Sequence, residues 1–382
     1  MKKNIKILLL SSCLCFLSCL NVSAQTAECI EAGRLFRNAV DLSDASVDEE
    51  RLYVRSIQLC PSMAEANYNL GVVFSRRKDL AAAENAFKKA LDIAKRPEFY
   101  TALGNLKISQ KDFSSAQSQF ENAIDLDSSY VGALLGMGIV YDSLGSYSKA
   151  EEVLNKAALI NQRDPIVQYN LGVVLERQDR LQDAISAFEN AVKSDESHFG
   201  SHFELGLAYQ KAGRYEDSRM VLERAANINS ENAPVNRALG VTYEKLTQYD
   251  RAELAFRRAL KLEGSDIISM INLGVVLLSK PGPNPLEAES ILSNSLKLDP
   301  KNSKALTALG WAQIELGRHA AAEDTLRQAI EIDGNNAFAH NNLGVLYLRT
   351  GRNDDAEIEF KKAISLSPDL AEAKRNLKQF AN

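Results

Sequence analysis

Four histidines and five cysteines are the residues on which metal or thiolate chemistry would rest in this 382-residue chain. His198 and His202 are four apart and could share a helical face, as metal ligands do. No cysteine or third histidine is near them in sequence, and two surface or packing histidines is the simpler reading. His319 and His340 join no constellation. Cys13, Cys15 and Cys19 fall within the first twenty residues, leaving Cys29 and Cys60 further on. There is no Gly-x-x-x-x-Gly-Lys phosphate loop, no Gly-x-Gly-x-x-Gly, no His-Glu-x-x-His, no Cys-x-x-Cys and no Gly-x-Ser-x-Gly elbow. No catalytic residue, metal site or cofactor is therefore expected, and an enzyme or metal-binding protein is the remote alternative. A net charge of −5, from 45 basic and 50 acidic residues, gives no electrostatic reason to bind nucleic acid. A composition 45% hydrophobic and 25% charged excludes a disordered or polytopic membrane chain.

What must position any functional residue is a repeat. Gly71, Gly104, Gly138, Gly172, Gly206, Gly240, Gly274, Gly310 and Gly344 are spaced by 33, 34, 34, 34, 34, 34, 36 and 34 residues. Twelve residues after most of them stands Ala: Ala83, Ala116, Ala150, Ala184, Ala252, Ala322 and Ala356. Ser218 takes that place in the fifth repeat, and Ala288 comes two residues late in the seventh. Four further on is Phe or Leu, and three beyond that Ala or Ser. Offsets of three, four and seven lie on one helical face. Each unit is thus a helical hairpin in which small residues let two backbones approach and a Phe or Leu fills the space beside them. Gly145, Gly213, Gly317 and Gly351 fall at the turn, where glycine can adopt the left-handed conformation that ends a helix. One such hairpin cannot bury its apolar face alone, so neighbours must stack.

The pattern resembles the tetratricopeptide repeat family, a 34-residue helix–turn–helix. The resemblance covers nine repeats over residues 64–370 and implies an all-α, right-handed superhelical solenoid. The early Trp of the family is missing; the one Trp, Trp311, follows the eighth glycine, and the closing Pro survives only as Pro300 and Pro368. The 36-residue spacing comes from Lys280-Pro281-Gly282-Pro283-Asn284-Pro285, whose prolines forbid helix and lengthen the turn, as a surface insertion or a docking knob. Residues 371–382, with Leu377 and Phe380 on one stripe, suit a C-terminal capping helix. Residues 25–63 read as a degenerate N-terminal repeat, with Tyr53 where the Phe belongs and Arg37 and Glu49 at the glycine and alanine places.

In the resembling family, first helices line a concave groove for peptides or proteins. Transferred onto this sequence, the groove residues are Tyr68, Asn69, Val72, Asn105, Tyr169, Asn170, Val173, Phe203, Asn272, Trp311 and Asn342. Asn can pair with a peptide's amides while rings and Val cover its side chains; many of these apolar residues could equally pack between repeats. Five residues after each glycine a rim position is basic at Arg76, Arg177, Lys211, Lys245 and Arg349, acidic only at Glu315. That predicts a weakly cationic band favouring acidic segments, or simply a solvated rim. The two-carboxylate clamp of chaperone-binding members is not expected, because only Asn105 holds its Asn place. Cys29 opens the first helix of the degenerate unit and Cys60 closes the second. Such ends are neighbours in an antiparallel hairpin, so a disulfide is expected, with two inert buried thiols as the alternative.

The leader has its own logic. Lys2, Lys3 and Lys6 precede an apolar run from Ile7 to Leu20, and Val22-Ser23-Ala24 ends in a small residue. This is a secretory signal peptide, residues 1–24, cut after Ala24. The run is too short to span a bilayer comfortably, and no membrane span is expected elsewhere. Phe16-Leu17-Ser18-Cys19 resembles a lipobox and offers an alternative, an outer-membrane lipoprotein lipidated at Cys19. Together these readings predict an exported, non-catalytic interaction scaffold, periplasmic or secreted. Resemblance to exported bacterial members implies work in cell-envelope assembly or secretion.

Overall fold

The computed structural model describes residues 27–380. They form twenty-one α-helices, with no strand among the described residues, and divide into two compact units at Gln178/Asp179. The first unit contains α1 (Ala27–Leu42), α2 (Val47–Leu59), α3 (Ala64–Arg76), α4 (Leu80–Ile93), α5 (Pro97–Ser109), α6 (Phe113–Leu126), α7 (Val131–Ser143), α8 (Tyr147–Ile160) and α9 (Pro165–Arg177). The second contains α10 (Leu181–Ser194), α11 (Phe199–Lys211), α12 (Tyr215–Ile228), α13 (Ala233–Lys245), α14 (Tyr249–Leu262), α15 (Ile267–Ser279), α16 (Pro285–Leu298), α17 (Ser303–Glu315), α18 (His319–Ile332), α19 (Ala337–Arg349), α20 (Asn353–Leu366) and α21 (Ala371–Phe380). The division falls in the turn of the fourth repeat. The leader, with Ala24 and Cys19, lies outside the described residues.

Why the helices begin and end where they do is local. Asp79, Asp112, Asp164, Asn232, Asp266, Asn284, Asn302 and Asn336 each cap a helix by accepting from a backbone N–H in its first turn. Gly145, Gly213, Gly317 and Gly351 end first helices with φ between 70° and 77°. Lys78, Lys111 and Thr247 stand at the same turn position with φ of 65°, 60° and 57°, so the register holds even where a side chain opposes it. In the proline-rich turn, Gly282 supplies the positive φ of 73°, and the Asn284 N–H donates to Leu277 O at 2.9 Å. Only Pro281 and Pro283 lie in that turn. Pro285 is instead the first residue of α16, where the missing N–H has no helical partner to lose.

The hairpins are held by close backbone approach. A Cβ placed on Gly71, Gly104 or Gly138 would meet Phe87, Phe120 or Leu154 at 2.6–2.7 Å. In the second unit Gly206, Gly240, Gly274, Gly310 and Gly344 face Leu222, Phe256, Leu292, Leu326 and Phe360 at 2.5–2.7 Å. Phe120, Phe256, Phe360, Leu154, Leu222, Leu292 and Leu326 are fully buried, as are the Ala residues flanking them. The two serines in alanine positions fit because each hydroxyl is satisfied. Ser218 Oγ donates to Gly206 O at 2.8 Å, and Ser295 Oγ to Leu292 O at 2.7 Å.

The N-terminal hairpin keeps the 34-residue register, Ala32 and Ala39 being buried where Ala66 and Val73 are in the next repeat. Arg37, assigned to the crossing, is exposed; Ala32 and Ala39 are the fully buried small residues of α1. Glu49 is buried, and its carboxylate accepts the Ala45 N–H at 2.7 Å, closing the turn. Tyr53 is buried against Phe36 with ring centroids 5.7 Å apart. The Cys29 and Cys60 sulfurs lie at bonding distance, with Cα atoms 4.9 Å apart.

Within each unit, successive first helices pack on one another; no comparable packing joins successive second helices among the described residues. First helices therefore form the tighter, inner side of each stack. Polar clasps join one repeat to the next. Tyr209 OH donates to Glu189 at 2.6 Å and Tyr243 OH to Glu223 at 2.8 Å, while Arg214 and Arg251 lie over the two rings. Lys107 Nζ reaches Glu84, Lys280 reaches Glu253, and Arg352 reaches Glu323, at 2.6–2.9 Å.

Two consequences are measurable. Gly240→Ala would drive a methyl into the Phe256 ring and cost about 1–3 kcal/mol, read as a lower denaturant midpoint. Adding Phe256→Ala should recover part of that loss in a double-mutant cycle. The hydrogen bond from Lys107, with that from Lys88, lowers the Glu84 pKa to about 2. The pair therefore stabilises fully above the ordinary glutamate range and loses this contribution as pH falls toward 2. Glu84→Gln should flatten acid sensitivity in that window, with wild type and variant converging near its acid end.

Candidate functional site

The inner side of the first unit is aromatic at its start. Tyr68 is half-buried, stacked on Phe99 with centroids 5.0 Å apart and tilted against Phe87 at 5.9 Å. Burial raises its pKa, so the hydroxyl stays neutral at physiological pH. Arg96 bridges Glu65 and Glu98 beside these rings and lies over Phe99. Val72 is half-buried against the same cluster. Asn69 is buried, and its amide donates to Tyr53 OH at 3.2 Å, so it joins α3 to the N-terminal hairpin rather than facing outward. Asn105 is exposed. Tyr169, Asn170 and Val173 are half-buried on α9, and the Asn170 amide donates to Ile166 O in its own helix at 2.8 Å.

In the second unit, Phe203 stacks on Phe199 with centroids 6.1 Å apart. The residues one after each glycine, Leu207, Val241, Val275, Trp311 and Val345, are half-buried; they rest on the core and keep one side outward. Asn272 is half-buried. Asn342 donates to Thr307 O at 3.5 Å and accepts from Asn341, whose own carbonyl accepts from Asn376. Two expected groove asparagines, Asn69 and Asn342, thus serve the stack itself.

The basic rim is largely engaged. Arg76 donates twice to Ser43 O, Arg177 lies 3.4 Å from Asp142, and Arg349 pairs with Glu315 at 2.8 Å. Lys211 also has an interaction partner, and Lys245 Nζ is 4.0 Å from Glu244. Arg177, Lys245 and Arg349 nevertheless remain about half exposed beside these acceptors.

No group of three or more His, Cys, Asp or Glu side chains that could hold a metal occurs among the described residues. His198 caps α11, its Nδ1 accepting from the Ser201 N–H at 3.2 Å, while His202 Nε2 contacts Glu196 O at 3.0 Å. Burial lowers the pKa of both imidazoles. His340 Nδ1 is 2.5 Å from Glu359. Pro281 forms one wall of an open cleft of about 680 Å³ whose other walls are Thr247–Arg251. No described helix is long and apolar enough to cross a membrane.

The tyrosines three residues after Gly206, Gly240 and Gly344 escaped the sequence reading. Their spacing was visible, but their glutamate partners lie 20–24 residues away in the preceding repeat.

Residues 48–270 match the family model of the cilia and flagella-associated protein 70 C-terminal domain. Residues 284–337 and 325–358 match tetratricopeptide repeat models. Superkiller protein 3 of Schizosaccharomyces pombe is 27% identical over 173 residues, covering 44% of this chain and 12% of that protein. Anaphase-promoting complex subunit 3 of the same yeast is 29% identical over 171 residues, covering 44% of this chain and 26% of that protein. The match thus spans no more than about a quarter of either relative's length. A tetratricopeptide repeat protein from Parabacteroides merdae superposes with a TM-score of 0.52 at 20% identity, over 66% of this chain and 99% of that one, a likeness of fold. With more than half of its length on one family model and repeat models on much of the remainder, the chain belongs to the tetratricopeptide repeat family.

Proposed function

We propose that the chain is a non-catalytic scaffold that receives an extended segment of a partner protein along the first helices. One observation carries this reading. Val72 and Val173 in the first unit, and Val241, Val275, Trp311 and Val345 in the second, each stand one residue after a glycine and are half-exposed on the inner side. Family membership supports it, because such repeats generally mediate protein–protein interaction. Crosslinking in cells with mass spectrometry tests it. A Val241→Ala/Val275→Ala/Trp311→Ala variant with native helical circular dichroism should lose the partners captured by wild type. Unchanged capture would move the binding surface to the second helices or the proline turn.

We further propose that this work lies outside the cytoplasm, in envelope assembly or secretion, with Cys29 and Cys60 oxidised; the signal-like leader of residues 1–24 supports export. The paired sulfurs support the oxidised state. A closed loop of this length stabilises by about 3–4 kcal/mol in the chain-entropy account, at the hairpin whose repeat pattern is weakest. Intact mass of the protein from its own host tests both parts. The expected chain starts after Ala24 and takes up alkylating reagent at both cysteines only after reduction. A lipidated start at Cys19 would establish the outer-membrane form instead, and alkylation without reduction would refute the bond.

A further inference from the structure

On the inner side of the second unit, Glu244 is a carboxylate whose one recorded partner is the loose ion pair with Lys245 at 4.0 Å. Glu244 lies on α13, four residues after Gly240 and three after Val241, so it shares a face with the half-exposed Val241. In three other repeats of this unit the same place is put to use, whereas Leu348 in the last is exposed. The Gln210 amide donates to Ala238 O at 2.8 Å and to Thr242 at 2.6 Å, while Leu278 and Ile314 are buried in the core. Glu244 therefore stands in a semi-buried position, its side chain 24% exposed, yet it accepts no hydrogen bond from any described residue. Its one charged neighbour is Lys245, 4.0 Å away and half-exposed. Burial raises the Glu244 pKa, the mark of a carboxylate short of compensation. Nearby carboxylates on this side are already held: Asp266 by Arg237 at 2.9 Å, and Glu315 by Arg349 at 2.8 Å. Beyond Glu244 the row of Val275 and Trp311 continues across the next two first helices, both resting on the same core cluster.

We propose that this surface selects a partner segment carrying a Lys or Arg followed by aliphatic side chains, the cation docking on Glu244 and the aliphatic groups on Val241, Val275 and Trp311. The inference rests on the groove reading above and gives it a charge preference opposite to that of the basic rim. Two first-helix steps cover about 16–20 Å, which roughly six extended residues span. A cation arriving at Glu244 replaces solvent lost on burial with a charge-assisted hydrogen bond, a stronger contact than a rim pair in open water.

Trp311, the one tryptophan in the chain, reports occupancy directly. The full chain would be titrated with the capped peptide Lys-Thr-Leu-Thr-Leu-Thr, and with versions having Glu or Gln in place of Lys, following Trp fluorescence and calorimetric heat. The expected result is binding of the Lys peptide that weakens at least about tenfold in Glu244→Gln. It should also weaken as salt rises from about 0.05 to about 0.5 M. The Gln peptide should bind the two proteins alike, and the Glu peptide least well. A Glu peptide that binds as well as the Lys peptide, equal affinity in Glu244→Gln, or neither heat nor fluorescence change would overturn the proposal. The cell crosslinking separates the two readings. Partners lost in the Val241/Val275/Trp311 variant but kept in Glu244→Gln leave the groove standing and remove its charge preference.

Discussion

Where the first helix of a repeat crosses its second, a glycine faces a Phe or Leu at a distance that leaves no room for a methyl group. That close approach permits thirteen- and fourteen-residue helices to pack with no void between them, and it fixes which residues face inward. The Phe120 ring shows how the constraint spreads. It is met by Gly104 in its own hairpin and by Gly136 on α7 of the next repeat, where an added Cβ would come within 2.3 Å. One ring is thereby packed by two repeats, so neighbouring hairpins are not independent of each other. Helices this short have little stability alone, and most of it comes from such packing.

Around that apolar seam, polar groups are spent on joining repeats. Tyrosines and lysines of first helices reach glutamates of the preceding second helix, and arginines cover the tyrosine rings. The first helices keep a line of half-exposed aliphatic groups. Glu244 interrupts that line with a carboxylate held only by a loose pair to Lys245.

Much of this was readable from one chain. The 34-residue recurrence of glycine, alanine and Phe or Leu specifies hairpin, turn and crossing, because each depends on residues within one repeat. The left-handed turns at Gly145, Gly213, Gly317 and Gly351 follow from residue type. The degenerate N-terminal hairpin holds the same register, with Ala32 and Ala39 buried at the places of Ala66 and Val73 and Arg37 exposed at the glycine place. Among groove residues, Val and aromatic places were legible as one face of a helix. The fate of the asparagines was not. Asn69 is consumed by Tyr53, while Asn170, likewise two before its glycine, bonds Ile166 O in its own helix; Tyr53 is supplied by the neighbouring repeat.

The amino-acid order thus settles the family, the turns and the residues at each crossing, which arise largely from contacts inside one hairpin and its turn. Which of those side chains is still available to a partner is a different matter. It depends on hydrogen bonds and ion pairs between residues about 20–35 positions apart, and those pairings come into being when one repeat stacks on the next. Arg349 and Lys245 occupy equivalent places in their repeats. One is clamped to Glu315 and the other stands 4.0 Å from a carboxylate with no hydrogen bond of its own. Lys245 has its carboxylate neighbour, Glu244, next to it in sequence, where Arg349 has Leu348; Glu315 reaches Arg349 only because one repeat stacks on the next.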